Sequence, residues 1–62
     1  MAKIPVEAGK EYEIEIGSLG SSGEGVGRYN GFTVFVPGAL PQEKVKVRIL
    51  EVKKTYAAGK LL

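Results

Sequence analysis

Glu11-Tyr12-Glu13-Ile14-Glu15-Ile16 alternates polar and apolar residues without a break. A period of two puts Tyr12, Ile14 and Ile16 on one side of an extended chain and cannot build an apolar stripe on a helix, so a strand is predicted over about 11–18. Gly17-Ser18-Leu19-Gly20-Ser21-Ser22-Gly23-Glu24-Gly25 is too rich in Gly and Ser for regular structure and is expected to be a mobile surface loop. Val26-Gly27-Arg28-Tyr29 and Phe32-Thr33-Val34-Phe35-Val36 flank Asn30-Gly31, the pair best suited to the two positive φ angles of a two-residue hairpin turn. Such a turn pairs Tyr29 with Phe32. Gly27, Tyr29, Phe32, Val34 and Val36 then share one face, and Val26, Arg28, Thr33 and Phe35 the other.

Pro37-Gly38-Ala39-Leu40-Pro41 is turn chemistry, with room for at most one helical turn. From about Glu43 a further strand is expected, with Val45, Val47 and Ile49 on one face and the basic ladder Lys44, Lys46 and Arg48 on the other. Tyr56 to Leu62 reads as a final strand, with helix as the alternative because Ala and Gly are poor strand formers. Five short strands joined by Gly- and Pro-rich turns predict an all-β fold, a small five-stranded antiparallel barrel in which closure removes open edges. Its core is expected from Tyr12, Ile14, Ile16, Val26, Val34, Val36, Val45, Val47, Ile49 and Val52. Residues 1–9 are expected to be a loosely held arm and 10–62 the single domain.

Composition narrows the function. The 62 residues contain no Cys and no His, and all seven acidic residues are Glu. Disulfides, thiolate chemistry, the usual zinc sites and imidazole proton transfer are therefore absent, and the expectation is a binding protein with no catalytic residue, cofactor or metal. No apolar run approaches the ~20 residues of a membrane helix, and Met1-Ala2-Lys3-Ile4-Pro5 lacks the apolar stretch of a secretory signal. A cytoplasmic protein without a membrane partner is expected. Charge is uneven: residues 1–27 hold two Lys against five Glu, whereas residues 28–62 hold seven Lys or Arg against two Glu. The second half is where a polyanion would dock.

Taken in order, Gly23-Glu24-Gly25-Val26-Gly27-Arg28, then Gly31-Phe32-Thr33-Val34-Phe35-Val36-Pro37-Gly38-Ala39-Leu40-Pro41-Gln42-Glu43, running on into Val45-Lys46-Val47-Arg48-Ile49, resembles the TRAM domain over roughly residues 10–62. The resemblance implies an oligonucleotide-binding-fold-like barrel and an RNA-binding role. TRAM modules are attached to tRNA-modifying methyltransferases and methylthiotransferases, and they also occur as small stand-alone archaeal proteins of cold-shock RNA-chaperone type. The chain departs from the pattern at Gln42, where the family usually has Gly. If that turn needs a positive φ, Gln42 carries local strain.

In a barrel of this kind the first and fourth strands are neighbours, so Glu11, Glu13 and Glu15 are expected to neutralise Lys44, Lys46 and Arg48, which leaves the ladder a secondary candidate for phosphate. Arg28, Lys53 and Lys54 are the better phosphate candidates, with Lys60 behind them. Tyr29, Phe32, Phe35 and Tyr56 are the candidates for base stacking. Phe32 and Phe35 point to opposite faces, and the company of Val34 and Val36 beside Phe32 favours Phe35 as the exposed ring. The Gly20–Gly25 loop offers backbone N–H groups to a phosphate, but it lacks the Gly-Lys-Ser/Thr ending and the following helix of a nucleotide-triphosphate loop.

The expected partner is RNA, single-stranded or structured, tRNA and rRNA included, bound with low sequence preference by a monomer that takes no small-molecule substrate. The binding face is expected from the Asn30-Gly31 hairpin, the glycine loop and the Lys53–Tyr56 segment. The alternative is a protein-interaction module or small subunit docking on a larger RNA-modifying enzyme or the ribosome.

Overall fold

The computed structural model describes residues 4–62. Five strands follow one another: β1 (Glu11–Leu19), β2 (Gly25–Tyr29), β3 (Phe32–Val36), β4 (Lys44–Val52) and β5 (Tyr56–Leu61). They close into a barrel in the order β1-β2-β3-β5-β4. The final segment is a strand, not a helix. Four neighbouring pairs run antiparallel, but β3 and β5 run parallel, with Thr33 opposite Tyr56 and Phe35 opposite Ala58. The fully antiparallel arrangement expected from sequence is corrected by parity: directions cannot alternate all the way round a closed ring of five.

The hairpin register is the predicted one. Tyr29 pairs with Phe32 and Gly27 with Val34, and the turn has positive φ at Asn30 (51°) and Gly31 (84°), as a two-residue turn of matching twist requires. Ile14, Ile16, Val34, Val36, Val47 and Ile49 fill the interior and are fully buried. Val26 was expected among them but lies half-buried on the outer side, because Gly25 and Gly27 take the inward positions of β2. The interior has no space for more: a Cβ on Gly27 would stand 2.6 Å from Ile14 Cγ2 and 2.7 Å from the Glu15 carbonyl oxygen. Val45 and Val52 are half-buried against the core, while Ala39 and Ala57 join it unforeseen.

The segment expected to be a loose arm is also different where it is described; Met1–Lys3 lie outside the described residues. Val6 is 3% exposed and belongs to the core. The Glu7 N–H donates to Tyr12 Oη at 3.0 Å, and the Gly9 N–H donates to the Ile49 carbonyl at 2.7 Å. These bonds lay the segment along the barrel end where β1 begins.

Candidate nucleic-acid interface

Alternation on β2, β3 and β5 decides which side chains face out. Val26 and Arg28 on β2 stand opposite Phe35 and Thr33 on β3, and Thr33 and Phe35 stand opposite Tyr56 and Ala58 on β5. All six are on the outer surface. The Phe35 and Tyr56 rings meet edge to face with centroids 5.3 Å apart, and Tyr56 is 38% exposed. Edge-to-face contact fixes both rings while leaving part of each ring surface free for a third one.

The loop between β4 and β5 brings Lys53 and Lys54 to the same end, closed by the Lys53 N–H donating to the Tyr56 carbonyl at 2.7 Å. Lys53 Nζ is ion-paired with Glu51 at 2.6 Å, and that hydrogen-bonded carboxylate raises the lysine's pKa above its ordinary value. Lys53 is therefore partly neutralised. Among the described residues, Lys54 and Arg28 have no ion-pair partner within 4.0 Å.

Tyr29 and Phe32 do not join this face. Both point to the inner side, half-buried against the core, where Tyr29 packs on Tyr12 with ring centroids 4.8 Å apart and caps the barrel end. The glycine loop lies at the opposite end from the Asn30-Gly31 turn, so the face expected from hairpin, glycine loop and Lys53–Tyr56 divides between two ends of the barrel. Three of its amides are already used. The Gly20 N–H donates to the Glu24 carbonyl at 2.7 Å, the Gly23 N–H to the Gly20 carbonyl at 3.0 Å, and the Ser22 N–H to Glu24 Oε1 at 3.2 Å. A carboxylate sits where a phosphate would have to bind.

The basic ladder faces the acidic strand in the expected register, and one of its three pairs closes as an ion pair among the described residues. Glu11, Glu13 and Glu15 on β1 lie opposite Arg48, Lys46 and Lys44 on β4. Arg48 donates to Glu11 Oε2 at 2.8 Å, and its guanidinium holds the Glu11 carboxyl below the usual carboxylate range. Lys60 lies opposite Arg48, away from the ring pair.

Sequence reasoning missed a groove beside this face. A β-bulge in β1 between Ile16 and Ser18 opens about 560 Å³ lined by Glu15, Gly17, Ser18, Val26, Arg28 and Gln42, together with backbone of Ile16 and Gly27. Gln42 has φ of 68°, so the strain anticipated at that turn is present. It is held in place from both sides: the Gln42 N–H donates to the Ile16 carbonyl at 2.6 Å, and the Ile16 N–H donates to the Glu43 carbonyl at 2.7 Å. The anticipated strain at Gln42 was the available clue to the groove. Val26 joins it to Phe35, so one outer track crosses β1, β2, β3 and β5, about 14 Å at ordinary strand spacing.

The family model described as TRAM domain matches residues 5–62. A translation initiation factor 2 subunit beta of Thermoplasma acidophilum is 54% identical over 57 residues, covering 92% of this chain and 27% of that protein. An uncharacterized RNA methyltransferase of Clostridium tetani is 49% identical over 59 residues, covering 95% of this chain and 13% of that protein. The chain thus spans a small part of the length of either relative. A conserved protein of Methanococcus maripaludis, solved in solution, superposes with a TM-score of 0.91 at 42% identity over 97% of this chain and 86% of its own.

Proposed function

The chain belongs to the TRAM domain family, and from that premise we propose that it binds RNA through the outer face of β2, β3 and β5, preferring unpaired segments and using little sequence information. The Phe35–Tyr56 ring pair, partly exposed between two cations without ion-pair partners among the described residues, Arg28 and Lys54, is the observation that carries this reading. A base stacked on such a ring contributes about 1–3 kcal/mol whichever base it is, and the cations draw in the polyanion. Holding the unpaired form shifts an RNA folding equilibrium without ATP, because a ligand stabilises the state it prefers. A chaperone of cold-shock type follows from that preference, and so does service on tRNA or rRNA. The chain supplies no catalytic group in this reading.

A second reading is favoured by one apolar groove. Leu50, 59% exposed, lies with Pro37, Gly59 and Leu61 around about 320 Å³ on another side of the barrel, a surface suited to docking on a larger RNA-modifying enzyme or the ribosome. Fluorescence titration against unstructured RNA oligonucleotides at several salt concentrations separates the two. RNA binding predicts log affinity falling linearly with log salt, and a loss of about tenfold or more in Arg28→Ala/Phe35→Ala with the fold intact by circular dichroism. No binding at low salt removes the RNA reading, and unchanged affinity in the double variant removes this face.

A further inference from the structure

We infer that the groove over the β1 bulge is a subsite for one unpaired guanine, with Glu15 and Arg28 reading its edge; the inference rests on the RNA-binding reading above and adds one selective position to an otherwise permissive track. Glu15 and Arg28 are directly paired across β1 and β2 and both are exposed, so their side chains stand side by side at the mouth of the groove. Neither has an ion-pair partner within 4.0 Å among the described residues. A carboxylate next to a guanidinium offers two acceptor oxygens beside a fork of donors.

Only one base fits that order. Guanine presents O6, N1–H and N2–H₂ in sequence along one edge, with N7 beyond O6. The Glu15 carboxylate accepts from N1–H and N2–H₂, while the Arg28 guanidinium donates to O6 and N7. Adenine offers a donor then an acceptor, cytosine a donor then two acceptors, and uracil a donor between two acceptors. None gives a carboxylate two adjacent donors. Lys44, opposite Glu15 on its other side, offsets the repulsion between Glu15 and the nucleotide's phosphate.

Gln42 supplies the second observation. A left-handed residue that is not glycine costs about 1–3 kcal/mol and persists where its surroundings hold it, often at ligand clamps. Gln42 lines this groove, and the two backbone bonds that join Gln42 and Glu43 to Ile16 hold it there. Its side-chain amide is both a donor and an acceptor for a base.

The test uses the whole chain and fluorescent uridine decamers with a single central G, A, C, U or inosine at low salt. The G oligonucleotide should bind about fivefold or more tighter than the A, C and U ones, the lower end of what a bidentate contact discriminates. Inosine, which lacks only the 2-amino group and keeps N1–H, O6 and N7, should bind between the G oligonucleotide and the other three in the wild-type protein. Glu15→Gln should bring G and inosine within about twofold of each other, Arg28 still donating to O6 and N7 of both, while binding the all-uridine decamer at least as well, since a negative charge has gone. Equal affinity for the four bases overturns the inference and leaves general RNA binding standing. Inosine binding as tightly as G in the wild-type protein, or a preference for G over inosine that survives Glu15→Gln, also overturns it. Failure of every decamer to bind overturns the RNA reading itself.

Discussion

Replacing Gly27 with Ala adds one methyl group to the narrowest part of the barrel. Gly27 does not have the positive φ of a turn glycine, so the backbone conformation tolerates Ala and the effect is purely steric. The new Cβ would stand 2.6 Å from Ile14 Cγ2, 2.7 Å from the Glu15 carbonyl oxygen and 3.2 Å from Ile16 Cδ1. Ile14 and Ile16 are fully buried and have nowhere to move, and the Glu15 backbone belongs to the strand paired with β2. Overpacking of this kind costs about 1–3 kcal/mol, and backbone contact places it in the upper half of that range. Loss of glycine freedom in the unfolded chain returns about 0.4–1 kcal/mol. The net loss is about 1–2.5 kcal/mol, from a total of about 3–9 kcal/mol for a chain of this length. At about 4–8 °C per kcal/mol, the melting temperature should fall by about 4–20 °C, read by circular dichroism and checked by urea titration. Val26→Ala, on the outer face one residue away, should shift it much less. If Gly27→Ala melts within about two degrees of wild type, the inner face of β2 is not packed as described.

Two further expectations follow from contacts at the barrel end where β1 begins. Val6→Ala removes two buried methyl groups and should destabilise by about 2 kcal/mol in the same thermal assay, whereas a loose arm predicts no change. Glu11 has its pKa lowered in the folded state by Arg48, so its contribution is present above the unfolded pKa and is lost as pH falls through the folded one. Thermal unfolding followed on acidification should therefore decline more steeply in wild type than in Glu11→Gln, and parallel profiles would refute that coupling.

The parts legible in the sequence were those carried by local chemistry. Asn30-Gly31 determined the hairpin register, and from it the outward placement of Arg28 and Phe35. Period-two alternation gave β1 and β4 and put Glu11, Glu13 and Glu15 opposite the basic ladder. Val26 misled because an apolar side chain suggests a core position, although the hairpin register itself puts it on the face away from Val34 and Val36. In so narrow a barrel the inward neighbours are glycines, which carry no hydrophobic signal. Val6 is a lone apolar residue after Pro5, with no period to announce it. The candidates Tyr29 and Phe32 were drawn inward by the same need to cover a barrel end. The groove depends on a bulge in one strand meeting a turn from elsewhere in the chain, a conjunction to which only Gln42 in that turn pointed.

The alternating charges on β1 and β4 also bear on the chain before it has closed. Until β4 docks, β1 is an open edge of nine residues, long enough to pair with the same strand of another copy. Pairing β1 with β1 would set carboxylate against carboxylate, and β4 with β4 would set cation against cation; both are unfavourable. The register that satisfies every position joins Glu11 to Arg48, Glu13 to Lys46 and Glu15 to Lys44. Each of these exposed pairs adds little to stability once made. Together they mark which strand is the correct neighbour, so selective pairing during folding is a larger consequence of the ladder than the energy of any one facing pair.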